Sequence, residues 1–138
     1  MFGAVFQQTL DAVRFTHAAQ TRLLYTPWQN AAKDRYCGPV EFTPDGRLLL
    51  MTERTSNSVS AFAVDAASGA LTFLDNYAIE EQQPRNISFS PSGKWLLTTG
   101  EKANRIGVYA IGEKGALTRV SEAPSGKGAL WIETLQLK

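Results

Sequence analysis

FTPDGRLLLMTERTSNSVSAFAV, residues 42–64, lies over FSPSGKWLLTTGEKANRIGVYAI, residues 89–111, at a constant offset of 47. Eight of the 23 positions are identical, among them Pro44/Pro91, Gly46/Gly93, Leu49/Leu96 and Asn57/Asn104. Most of the others keep their physical type, as in Arg47/Lys94, Val59/Ile106 and Phe62/Tyr109. GALT at 69–72 then recurs at 115–118 with an offset of 46, so one residue is lost in between. Each unit reads as four short strands, expected over 40–43, 48–52, 58–64 and 71–77 in the first and 86–90, 95–99, 105–111 and 117–122 in the second. TPDG and SPSG supply the first turn of each unit, because proline presets φ and glycine accepts φ > 0. DAASG and GEKG mark the second hairpin. Four strands with repeated turn chemistry every 45–50 residues is the period of a propeller blade.

Outward from these two units the pattern thins. ALWIETL at 129–135 reads as the opening strand of a third unit. Residues 1–36 repeat nothing, and 9–30 read either as a short helix over 11–24 or as a broken blade with a long connection; Pro27 stops any helix there. The expected fold class is therefore all-β: a partial β-propeller of about two complete four-stranded antiparallel blades plus the first strand of a third, preceded by an irregular or partly helical N-terminal segment. The expected division is 1–36, then blades over 37–79 and 80–124 and a partial unit over 125–138. Closed propellers carry about four to eight blades, whereas 138 residues hold fewer than three periods of 47, so the sequence reads as a piece of a propeller.

Composition removes several function classes. Fourteen Lys and Arg against thirteen Asp and Glu leave a net charge of +1, which gives no footprint for nucleic acid or an anionic membrane. With 43% apolar and 20% charged residues the chain has the make-up of a folded domain. One cysteine, Cys37, permits no internal disulfide and no thiolate zinc cluster, and one histidine, His17, removes two-histidine metal sites. No metal and no cofactor is expected. No apolar run is long enough for a membrane span, and the first residues lack the basic start of a signal peptide, so a reducing cytoplasm is the expected compartment. SGKG at 125–128 lacks the spacing of a phosphate-binding P-loop. His17 and Cys37 read as ordinary packing residues, and Trp95 and Trp131 as residues packed between blades.

Strand parity places the remaining polar groups. In an antiparallel four-stranded blade, the connection into the first strand and the loop between the second and third emerge on one face. The PDG-type turns emerge on the other. Glu53, Arg54, Glu80, Glu81, Gln82, Gln83, Arg85, Glu101, Lys102 and Lys127 all fall on the first face. One face is thus rich in charge and amide groups, and the other is mostly turn residues.

DRYCGPVEFTPDGRLLLMTERTSNSVSAFAVD at 34–65, QQPRNISFSPSGKWLLTTGEKANRIGVYAI at 82–111 and GKGALWIETL at 126–135 together resemble the last third of the lactonase family of seven-bladed β-propellers, especially its bacterial 6-phosphogluconolactonase branch. The arginine after the second strand, the QPR before the next blade and the terminal GxGxxW carry most of the specificity. The resemblance implies hydrolysis of 6-phospho-D-glucono-1,5-lactone to 6-phosphogluconate in the pentose phosphate pathway, with a small sugar-phosphate lactone as partner and no cofactor. It implies binding of phosphate, carboxylate or oxyanion by Arg54 and Arg85; Glu53, beside Arg54, reads as a candidate water activator, as a partner of Arg54 or as a solvated loop charge. One departure stands out: where family members carry an acid two positions before the residue aligned with Glu41, this chain has Pro39. Glu41 lies on the same strand face but about 6–7 Å along it. Two other readings share these residues: a non-catalytic propeller fragment serving as a protein-interaction module, and a muconate-type lactonising enzyme of the same family. In each, edge strands left open invite self-association or pairing with missing blades.

Overall fold

The computed structural model describes residues 37–136; the expected N-terminal segment, with His17, lies outside them. Two four-stranded antiparallel meanders follow one another. The first is β1 (Cys37–Phe42), β2 (Leu48–Glu53), β3 (Ser58–Val64) and β4 (Leu71–Ala78), in that spatial order. The second is β5 (Pro84–Phe89), β6 (Trp95–Gly100), β7 (Arg105–Ile111) and β8 (Leu117–Pro124). All eight strands fall where the repeat places them, within two residues at either end for all but the start of β1.

Local chemistry explains the punctuation. In the first turn Gly46 N–H donates to the Thr43 carbonyl (2.8 Å) and in the second Gly93 N–H donates to the Ser90 carbonyl (2.8 Å), each glycine at φ +70°. That is a type I turn closed by a left-handed residue, which a side chain would strain. Asp45 completes the first turn by accepting from the Thr43 hydroxyl (2.6 Å) and the Arg47 backbone N–H (3.0 Å). Bulges also repeat: the ladder skips Leu74 in β4 opposite Ala61/Phe62 and Val120 in β8 opposite Val108/Tyr109. A bulge at the same repeat position in both sheets bends the outer strand of each blade alike.

In the first blade both faces of the sheet are covered at its centre, which is why β2 reads Leu49, Leu50, Met51, Thr52 with no exposed member. Leu50, Val59 and Ala61 on one face of the first blade pack against Ile87, Phe89, Leu96 and Tyr109 of the second. Leu49, Met51 and Phe62 form a second cluster on the opposite face of the first blade, with Phe62 edge-on to Phe73 at 5.6 Å. Through the offset of 47, Leu49 and Phe62 correspond to Leu96 and Tyr109, so the same positions build the same side of each blade.

Two expectations are corrected. Residues 129–135 do not add a strand: they run along β5 through side chains, with Ile132 N–H donating to Asn86 Oδ1 (2.8 Å) and the Thr134 hydroxyl bonding the Phe89 carbonyl. Trp95 and Trp131 are not packed between the described blades, being 41% and 72% exposed. Trp95 begins β6 on the face of the second blade that points away from the first.

Candidate functional site

Loops after β2 and β6 and the connection from β4 into β5 emerge on one face, as parity requires. Arg54 follows the end of β2, and Glu101 follows the end of β6 at the position equivalent to Arg54, 47 residues on. Arg85 is the residue that the β5–β6 register skips between Pro84↔Gly100 and Asn86↔Thr99. A bulge of this kind re-aims the side chain it carries. The three meet: Arg54 Nη2 donates to Glu101 Oε2 at 2.6 Å and Arg85 Nη1 to the same oxygen at 2.9 Å. Arg54 is the more enclosed, its side chain 22% exposed against 41% for Arg85. Its Nε is buried and has no hydrogen-bond partner among the described residues. Two guanidiniums on one carboxylate leave a net positive charge with several N–H donors beyond those spent on Glu101, a geometry suited to a carboxylate, phosphate or oxyanion.

Glu53 sits at the root of the same loop. Its Oε1 accepts from the Thr55 N–H (3.0 Å) and its Oε2 from the Ser56 N–H (2.5 Å), so the carboxylate is turned into its own loop. Asn57, at φ +54°, ties this loop to the next connection: its Oδ1 accepts from the Gln83 N–H (2.8 Å) and its carbonyl from the Ile79 N–H (2.9 Å). Glu41 is elsewhere. It lies four residues down β1 from Cys37, about 13 Å along the strand, next to the opposite turn. Burial, and then the Glu133 carboxylate, hold its carboxyl above the ordinary value. Pro39 occupies the β1 bulge between Cys37 and Val40, one of the few places a sheet accepts proline.

A second charged cluster lies outward of the first. Glu81, expected on the open face, is fully buried. Its Oε2 accepts from the Thr98 hydroxyl (2.7 Å) and the Tyr109 hydroxyl (2.7 Å). Oε1 has no hydrogen bond, with Arg119 Nη2 at 3.8 Å and Arg105 Nε at 3.9 Å. Gly107 makes the room: a Cβ there would stand 2.4 Å from the carboxylate. Burial is the main cause that pushes the Tyr109 hydroxyl up to about 12. Glu80 and Glu122 pair with Arg105 at 3.6 Å each, around a cleft of about 530 Å³ that Lys102 and Gln82 also line.

Strand parity therefore brings Arg54 and Arg85 together. It does not identify Glu101 as their shared partner, although the offset of 47 from Arg54 was the available signal. Nor does it find the burial of Glu81, whose signal was Gly107 between Ile106 and Val108 in the interior of a strand.

Among known proteins, the family model described as lactonase, 7-bladed β-propeller, matches residues 4–134. The 6-phosphogluconolactonase of Photorhabdus laumondii is 38% identical over 104 residues, which are 75% of this chain and 31% of that protein. That of Sodalis glossinidius is 36% identical over 102 residues, 73% of this chain and 30% of that protein. The chain thus spans about a third of the length of the curated relatives it matches. The periplasmic gluconolactonase of Pseudomonas aeruginosa superposes with a TM-score of 0.64 at 28% identity, covering 71% of this chain and 28% of that one.

Proposed function

The chain belongs to the seven-bladed β-propeller lactonase family, and on that premise we propose that it contributes to hydrolysis of 6-phospho-D-glucono-1,5-lactone to 6-phosphogluconate. The observation that carries this reading is the convergence of Arg54 and Arg85 on Glu101. An anionic sugar lactone presents both a phosphate and a carbonyl oxygen that becomes negative as water adds, and paired guanidiniums serve either. Water adds to the lactone carbonyl carbon and gives up a proton, the acyl C–O bond of the ring breaks, the released ring oxygen takes a proton to become a hydroxyl, and the acid ionises. Arg54 and Arg85 are assigned to binding. Glu53 is assigned to activation of water, a role for which its carboxylate has to turn out of the loop it now closes.

The likeness to curated 6-phosphogluconolactonases supports the phosphorylated substrate and a place in the pentose phosphate pathway. A cytoplasmic setting is supported by the single cysteine, which leaves no internal disulfide to form. No helix among the described residues is long and apolar enough to cross a membrane.

Freshly generated lactone, followed through coupled 6-phosphogluconate dehydrogenase with spontaneous hydrolysis subtracted, tests the reading. Arg85→Ala and Arg54→Ala should each lower the rate by about 10- to 100-fold, the worth of a charge-assisted hydrogen bond. A wild-type rate equal to the spontaneous one overturns it. Pro39 at a position where the family carries an acid favours a second reading, a propeller segment that binds without catalysis. In that case 6-phosphogluconate binds in an Arg85-dependent way and no turnover is seen.

A further inference from the structure

We infer that Glu81 is a positioning residue for the Arg54–Glu101–Arg85 cluster, acting through the connection from β4 into β5; its bearing on substrate rests on the reading of that cluster given above. Residues 79–83 touch both arms of the cluster. Toward the first blade, the Ile79 and Gln83 N–H groups are held by Asn57, three residues after Arg54. Toward the second, the Gln83 carbonyl accepts from the Glu101 N–H (3.0 Å) and the Gln82 carbonyl from the Lys102 N–H (3.2 Å). Arg85 leaves the same connection two residues later. Whatever fixes 79–83 therefore sets Glu101 and both arginines together.

Glu81 is what fixes it. It is the only charged side chain with no exposure among the described residues. It reaches from the connection into the core between the blades and takes two hydroxyl donors on one oxygen. Tyr109 closes the loop from the other side by accepting the Glu80 N–H at 3.1 Å. A leucine of similar volume would fill the space without the desolvation cost of a carboxylate. What it would lack is direction: the two hydrogen bonds hold one orientation of the connection, where apolar packing holds several. Gly107 gives up its own side chain to admit this carboxylate in the middle of β7, where a glycine otherwise weakens the strand.

The test uses the full chain with Glu81→Leu, Glu81→Gln and Tyr109→Phe, reading amide hydrogen exchange at Glu101 and Lys102 and the affinity for 6-phosphogluconate. In Glu81→Leu both amides should exchange about tenfold faster and the probe should bind about tenfold more weakly, while the Leu96 amide stays protected. Glu81→Gln keeps an acceptor oxygen for Thr98 and Tyr109 and should restore both readouts to within about threefold of wild type. A folded Glu81→Leu protein with unchanged amides, or with faster amides and unchanged affinity, overturns the proposal. If Glu81→Leu does not fold, Tyr109→Phe decides: faster exchange at the same two amides supports the anchor, and unchanged exchange overturns it. If wild type binds no 6-phosphogluconate, the lactonase reading falls, and the two amides and the Arg54 and Arg85 side-chain N–H signals still decide whether Glu81 sets the cluster.

Discussion

A carboxylate oxygen that accepts from two arginines spends its charge twice, and Glu101 does so at the point where two repeats meet. Equivalent residues of neighbouring blades, Arg54 and Glu101, are complementary in charge where a strict repeat would have set like against like. The repeat also carries a smaller electrostatic device in its first turn. Hydrogen bonds from the Thr43 hydroxyl first, then from Arg47, hold the Asp45 carboxyl at about 2, well below its ordinary 3.8. A carboxyl depressed by folding adds stability that is complete above its unfolded value and is lost as pH falls toward the folded one. Asp45→Asn should therefore be less stable than wild type above about pH 4 and indistinguishable from it near pH 2. The Asp45 side chain is 52% exposed, so solvent screening limits the difference to about 1 kcal/mol or less. Urea melts of the two proteins at pH 6, 4 and 2.5 would show the gap closing; a gap constant with pH would mean that the turn is held by shape and not by ionisation.

Strands β2 and β6 occupy the same place in their blades, yet their neighbouring residues differ sharply in what they support. Leu96 has no exposed surface and lies in the core between the blades, whereas Trp95 beside it is 41% exposed on the far face. Leu96→Ala should cost about 2–5 kcal/mol, a transfer loss plus a cavity that a two-sided core cannot collapse. Trp95→Ala in the same chain should cost less, despite removing a larger side chain. Thermal melts compare the two directly, and a larger loss from Trp95→Ala would place the main core on the wrong side of the second blade. At this scale the sequence is most readable, because turn residues and period-2 burial are local signals. The repeat placed eight strands, and parity put Arg54 and Arg85 on one face. Other features depended on distance in the chain. Glu81 carries a charge that reads as surface until Thr98 and Tyr109, 17 and 28 residues on, are seen to receive it. Residues 129–135 alternate like a strand but meet β5 through Asn86, Phe89 and Ser88, without the backbone ladder that would make them one.

Taken whole, the two blades present one interface made and one left open. On the first blade, Leu50, Ala61 and Leu74 are covered by the second. The equivalent residues of the second blade are Leu97, Val108 and Val120, by offsets of 47 and 46. With Trp95 they border an apolar hollow of about 300 Å³, Trp95 and Val120 being 41% and 49% exposed. The repeat states what fits there, because the same position on the first blade is filled by Ile87, Phe89, Leu96 and Tyr109. Another apolar face is the complement, and we propose that in a solution of this chain alone a second copy supplies it. Sedimentation of the chain should show species heavier than the 15.1 kDa monomer, increasing with concentration. Val120→Glu places a charge at the centre of the hollow without touching the core between the described blades, and should return the protein to monomer with its β-sheet circular dichroism intact. A wild-type chain that sediments as a monomer at every concentration, with both hydrophobic faces accounted for, would mean that the far face of the second blade is closed from within the chain itself.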